Sequence, residues 1–420
     1  MRTMRPVRSL RAVRRAVRLL VVAGVLAPAM IAAQGNAPAQ VAGQPEEHIE
    51  GPSYGRVSLL FTESYDDNVF AVPLSQHPQS DLISRFGPIF EVGRHTRRFV
   101  MNARYGLAAE RYAQLVDLNS DVAHQEGMFD VEYHSTPRTT LHADGGYIDT
   151  QSPRELNQAT LITIGRGRAE RLTAHGAFAE DLTKLTSLNL DYTISNDTLE
   201  ERPGNLSHLV RIGLQWRTSM RTSFRADYRP RYVVFGAAAN AIPVGSGTSV
   251  DTNIAVGSDT SVASDTSHAI TAGFTHSITP LTSIEFDSGP RVTDGEVRPE
   301  ISAAFRRRMP KGEIAVAYVR TQDTAVGELG FFDVQRLTAT ASVTPVRALT
   351  LSALPAFARS TQLGDYSNVR ELNVEVVVRV IRRLSFVVFA RAANQEGTFS
   401  DLNDPIQTRY LALTTRLTLP

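Results

Sequence analysis

The chain is poor in residues that do covalent chemistry. It contains no cysteine, which excludes a thiolate nucleophile, a disulfide framework, an iron–sulfur cluster and a thiolate metal site together. Its ten histidines form no H-E-x-x-H motif and no i, i+4 pair on a helix, so their spacing points to no zinc centre, and neither a metal nor a cofactor is expected. Asp66-Asp67-Asn68 offers hard oxygen ligands of the kind Ca²⁺ takes. It lacks the spaced acids, glycine and distal Glu of an EF-hand, and an Asx turn opening a loop is the better reading. His124, Ser152 and His208 are of the types a Ser/His/acid hydrolase uses, but nothing in their spacing fixes a shared geometry, and an enzyme is the less favoured class.

The informative polar residues are charges that alternate with apolar side chains. Leu188, Leu190, Tyr192 and Ile194 alternate with Asn189, Asp191 and Thr193; Val210, Ile212, Leu214 and Trp216 alternate with Arg211, Gly213, Gln215 and Arg217. Phe224, Ala226, Tyr228, Tyr232 and Val234 alternate with Arg225, Asp227, Arg229 and Arg231, and Leu372, Val374, Val376, Val378 and Val380 with Glu371, Asn373, Glu375 and Arg379. Period two is the signature of a strand with one apolar and one polar face. The polar face then carries Arg104, Arg211, Arg217, Arg225, Arg229, Arg231, Arg298, Arg306 and Arg379. It also carries Asp130, Glu132, Asp144, Asp191, Asp227, Glu300, Glu371 and Glu375.

Two kinds of connection separate the strands and themselves alternate. Tight ones lie at 94–97, 136–138, 182–185, 218–220, 279–281, 309–311, 345–348 and 382–383. Longer Asp/Asn/Gly/Ser-rich ones lie at 66–81, 111–124, 150–166, 198–206, 236–264, 325–331, 362–368 and 397–405, with a short one at Asp294-Gly295. Eight tight turns with a strand on each side, plus a first and a last strand, make 18 strands, or 16 or 20 if one hairpin is divided differently. A β-propeller would need a recurring blade motif, and none is visible. An all-β, antiparallel outer-membrane β-barrel requires an even strand number, alternating segments, short turns at one end and long loops at the other. Lipid cannot satisfy backbone N–H and C=O groups, so a sheet in a bilayer must close on itself.

Residues 1–33 hold seven arginines and no acid ahead of the apolar run Leu19–Ala33, the order of a signal peptide. Without them the whole-chain charge of +1 becomes −6, and nucleic acid is not an expected partner. Residues 34–53 read as a flexible periplasmic leader and 54–420 as the barrel. The last strand, with Leu411, Leu413, Leu417 and Leu419 on one face, resembles the C-terminal strand that the bacterial barrel-assembly machinery recognises, although it ends Leu419-Pro420 rather than on an aromatic residue. The tight turns collect Arg94, Arg97, Arg98, Arg138, Lys184, Arg382 and Arg383, and the long loops collect Asp66, Asp67, Asp117, Asp121, Asp365 and Asp404. One rim is therefore expected to be basic and the other acidic, a field that would draw anionic material to the periplasmic mouth. The alternative is a solvated acidic rim that binds divalent cations beside lipopolysaccharide.

Tyr65-Asp66-Asp67-Asn68-Val69-Phe70, Ser80–Pro88 (SDLISRFGP), Tyr105–Tyr112 (YGLAAERY), Leu118-Asn119 and His134–Leu141 (HSTPRTTL) together resemble the β-barrel porin-2 family. The resemblance is sharpest over 54–150. It implies an outer-membrane barrel that accompanies exopolysaccharide biosynthesis and export genes, with polysaccharide export proteins as partners, and it brings no catalytic residues. The expected function is a porin-like pore or export conduit in the bacterial outer membrane, surrounded by lipid and lipopolysaccharide, with Arg104, Arg211, Arg217, Arg225, Arg229, Arg231, Asp227, Glu371, Glu375 and Arg379 lining the pore. A plugged barrel that scaffolds an export complex remains open beside it, as does a barrel enzyme. The Gly/Ala/Ser-rich connection 236–264 is the expected mobile outer loop or pore constriction.

Overall fold

A computed structural model describes residues 53–200, 202–236, 263–398 and 404–419. The expected signal peptide, all but the last residue of the expected leader, and nearly all of the 236–264 connection lie outside these residues.

The strands are β1 (Ser53–Asp66), β2 (Asp81–His95), β3 (Phe99–Tyr112), β4 (Ser120–His134), β5 (Thr139–Thr150) and β6 (Ala169–Asp181). They continue with β7 (Thr186–Leu199), β8 (Arg202–Arg217), β9 (Thr222–Phe235), β10 (Ala263–Thr279), β11 (Thr282–Thr293) and β12 (Glu296–Met309). The last six are β13 (Gly312–Asp323), β14 (Phe332–Val346), β15 (Leu349–Gln362), β16 (Asp365–Ile381), β17 (Leu384–Gly397) and β18 (Ile406–Thr418). Each pairs antiparallel with its neighbours in the chain, and β18 pairs with β1 from Ser58 opposite Thr418 to Asp66 opposite Tyr410. The result is a closed 18-stranded antiparallel barrel. Closure is what removes the two unpaired edges an open sheet would expose.

Register keeps the two faces separate all the way round. Leu372 of β16 lies opposite Pro355 of β15 and Ala392 of β17, whereas Glu371 lies opposite Ala356 and Ala393. The outward face is apolar and uncovered: Phe61, Phe86, Leu214 and Leu413 are each 47% exposed, where packed core side chains would be near zero. Toward the long-loop end this face carries aromatic groups. Tyr192 and Tyr232 flank the His208 ring, and Tyr228 stacks on His268 at 3° between ring planes.

All the tight turns fall where the alternation places them, with Ser53 and Thr418 at the same end. Two connections that read as long are short: β7 reaches Leu199 before β8 starts at Arg202, and Leu363-Gly364, both at positive φ, turns β15 directly into β16. Asp197, Asn205 and Ser367 made these strand ends look like loops. They are buried on the inner face instead.

Gly87 marks a close approach between strands. A Cβ there would lie 1.8 Å from the Leu107 carbonyl oxygen, and the β2–β3 pairing is interrupted at Gly87 and at Pro88, which has no N–H to give. Gly87→Ala is expected to push β2 from β3 and to cost about 1–3 kcal/mol. A urea titration followed by the fluorescence of the single tryptophan, Trp216, checks this; an unchanged midpoint would remove the argument.

Candidate functional site

The interior is polar at the wall and narrowed by an inserted segment. The wall comes first, because the strands place it. The ten residues predicted to line a pore all occupy the strand face opposite the exposed apolar side chains. Arg211, Asp227, Arg229 and Arg225 form one patch on β8 and β9. Asp227, 3% exposed, accepts from Arg211 Nε at 3.1 Å and from Arg229 Nη2 at 2.9 Å. A Cβ on Gly213, directly across, would come 2.4 Å from Asp227 Oδ1, so the absence of a side chain there leaves room for the carboxylate. Arg225 is clasped by Asp287 and Glu285. Arg104 stands apart, 3.8 Å from Glu126, and Arg231 of β9 donates to the Gln322 backbone carbonyl of β13, four strands further round the ring. Arg217 and Arg379 lie toward the tight-turn end, and Glu375 is 6% exposed.

Register extends this patch into a belt. Asp130 of β4 is 2.7 Å from His142 Nε2, His142 Nδ1 is 3.5 Å from Asp144, and Asp144 is 2.6 Å from His175 Nδ1. His175 Nε2 is 3.6 Å from Asp191, Asp191 is 3.9 Å from Arg211, and Arg211 leads to Asp227. Acid and base thus alternate across six consecutive strands, β4 to β9. Sequence reasoning placed the acids and arginines on this face and passed over the two histidines. The signal was present as His142-Ala143-Asp144, an i, i+2 pair on one strand face, but the strand opposite it could not be chosen without the register.

The segment between β5 and β6, residues 151–168, folds into the lumen. It crosses to the opposite wall: β14, β16, β17 and β18 hold it, and β14 is halfway round the ring from β5. Arg154 pairs with Glu371 of β16 and donates to Thr408 Oγ1 of β18 at 3.1 Å. Arg336 of β14 donates to the Gln158 carbonyl at 2.7 Å, and Gln395 of β17 accepts from Thr163 N at 2.7 Å while donating to its carbonyl at 3.2 Å. Asn157, 2% exposed, accepts from Val326 N in the β13–β14 loop and donates to the Ile162 carbonyl. Two apolar clusters sit under these bonds, Leu156 with Ala169, Leu199 and Val326, and Ile162 with Ala325, Phe332 and Val334. Burial, with Arg391 nearby, pushes the Arg154 guanidinium down to about 10, and the Glu371 carboxylate opposes that shift, so Arg154 is charged at neutral pH.

The remaining predicted groups separate. Asp66 accepts from Asn68 N at 2.9 Å, the expected Asx turn, and Asp67 Oδ1 accepts from Arg409 N at 2.5 Å. His124 faces the lumen, 3.5 Å from Glu155 of the inserted segment, while His208 is on the outer wall, 2.8 Å from the Tyr192 hydroxyl. The two histidines lie on opposite sides of the sheet and do not share a site. The basic residues of the tight turns, Arg97, Arg98, Arg138, Lys184, Arg382 and Arg383, are exposed at one rim, and Asp117, Asp121, Asp365 and Asp404 at the other.

No family model matches the chain, and no curated protein matches it. Among solved structures it is similar to Pseudomonas aeruginosa OpdQ, with 13% identity and a TM-score of 0.44 over 87% of this chain and 99% of that one. It is also similar to a mutant of the ferric enterobactin receptor PfeA from Pseudomonas aeruginosa, with 8% identity and a TM-score of 0.45 over 88% and 80% of the two chains. The ferric-catecholate import receptor Fiu of E. coli K12 aligns at 9% identity and a TM-score of 0.45 over 87% and 82%.

Proposed function

We propose that the chain is an outer-membrane channel for small hydrophilic solutes whose constriction is the segment between β5 and β6. Membrane placement rests on the outer wall: a ring of uncovered Leu, Val, Phe and Tyr side chains would be strongly unfavourable in water, at about 25 cal/mol per Å² of apolar surface, and matches a bilayer. The strands have 12 to 17 residues, longer than the roughly 9–11 that a tilted strand needs to cross. An 18-stranded ring is wide enough for an aqueous lumen.

The observation that carries the channel reading is the inserted segment itself. It narrows the lumen at one level toward the long-loop end while the charged belt lines the wall, the arrangement that lets size and charge both select a solute.

Single-channel recording of the refolded chain in a planar bilayer, with the reversal potential read in a salt gradient, tests the proposal. Stable steps with a salt-dependent ion preference are expected. Silence from a barrel shown to be folded would overturn it in favour of a scaffold role. Large conductance with no constriction signature would favour the polymer conduit.

A further inference from the structure

We propose that His142, Asp144 and His175 form a binding site for a divalent transition-metal ion such as Zn²⁺ or Cu²⁺ in the inner wall. One ring nitrogen of His142, one of His175 and an Asp144 carboxylate oxygen all lie within 4.8 Å of one another. The two contacts to Asp144 are 3.5 and 2.6 Å, and ligand atoms around a tetrahedral zinc with bonds of 2.0–2.1 Å stand about 3.3 Å apart. Side-chain adjustments of about an ångström or less therefore fit the ion. His142 Nδ1 is buried and makes no hydrogen bond, its lone pair or N–H meeting Asp144 only at 3.5 Å.

The far nitrogen of each ring strengthens the assignment. His142 Nε2 is 2.7 Å from Asp130 and His175 Nε2 is 3.6 Å from Asp191. A metal-bound imidazole characteristically turns its other N–H to a carboxylate, which fixes both the tautomer and the ring direction. Here His142 has such a partner in Asp130 and His175 has Asp191 just beyond hydrogen-bond distance, and both rings turn Nδ1 toward Asp144 Oδ1. Two imidazoles and one carboxylate leave a fourth position for water or a solute atom. On binding, the proton that bridges His175 Nδ1 and Asp144, together with any on His142 Nδ1, leaves to solvent.

The site is independent of whether the barrel conducts, and so is its test. Calorimetry with ZnCl₂ on the chelator-treated, refolded barrel in detergent should give one ion per chain. His142→Gln/His175→Gln should abolish that site, and Asp130→Asn or Asp191→Asn should weaken it by about 10–100-fold. Cu²⁺ loaded into the unaltered barrel should show hyperfine splitting from two imidazole nitrogens by electron paramagnetic resonance, a readout that needs no variant to fold. Zinc binding that survives the double histidine change, or a copper spectrum with oxygen ligands only, would assign the ion to the acidic loops and overturn the proposal. Absence of binding at millimolar Zn²⁺ would overturn it as well.

Discussion

Arg154→Ala is expected to raise the single-channel conductance and make it noisy, because it releases the inserted segment from the far wall. Arg154 and Glu371 are 8% and 9% exposed at their side chains, and Arg154 also holds Thr408. Removing the arginine leaves the buried Glu371 with the Asn373 Nδ2 hydrogen bond and the charge of nearby Arg391, and breaking a buried pair from one side costs about 3–5 kcal/mol. At about 1.4 kcal/mol per factor of ten, that loss moves the balance between docked and undocked segment by about two orders of magnitude or more. The bonds from Arg336 and Gln395 remain, so the segment should fluctuate rather than leave, which is why noise is expected along with the larger mean current. Arg154→Ala/Glu371→Gln removes the stranded charge and should recover part of the quiet, low-conductance behaviour, a non-additivity that only a direct coupling produces. Identical recordings from Arg154→Ala and the parent, with both shown to be folded, would mean that the segment does not control the current path.

The wall was legible in the sequence and the segment that crosses it was not, for a physical reason. Alternation is local: Arg211 and Ile212 fall on opposite faces whatever their neighbours do, and the tight turns punctuate the pattern, so strand number and facing follow from neighbouring residues. The inserted segment is held by residues far away in the chain, Arg154 by Glu371 and Thr163 by Gln395. No window of sequence contains both partners. Composition pointed instead to 236–264, which is longer and richer in Gly and Ser. The overlooked signal is apolar: Leu156, Leu161, Ile162 and Ile164 have no reason to lie in a loop bathed by water, and the clusters around Leu156 and Ile162 show what they pack against. The histidine pair was missed for the same reason as the segment. His142 and His175 meet through the β5–β6 register, which puts Asp144 opposite His175.

Asp227→Asn is expected to move the reversal potential toward anion preference, and Asp227→Ala to do so with a large loss of stability. Asp227 holds two guanidinium groups at once, Arg211 through both of its oxygens at 3.1 and 3.3 Å and Arg229 at 2.9 Å. Either change leaves the arginines charged, since an arginine does not titrate near neutral pH, so the inner wall gains one net positive charge at the β9 end of the belt. Asparagine keeps the shape and one acceptor oxygen, which limits the structural damage. Alanine keeps neither, and two half-buried arginines lose this partner, Arg211 keeping Asp191 at 3.9 Å, for which about 1–3 kcal/mol is the usual scale. Adding Arg211→Gln to Asp227→Asn should restore the original preference, because the net charge returns. Cross-strand ion pairs can also serve only to brace a barrel wall, and the two roles separate here. A brace predicts the loss in urea midpoint for Asp227→Ala with no change in reversal potential for either variant, whereas a belt that faces the ion path moves the potential even in Asp227→Asn, where the wall stays intact.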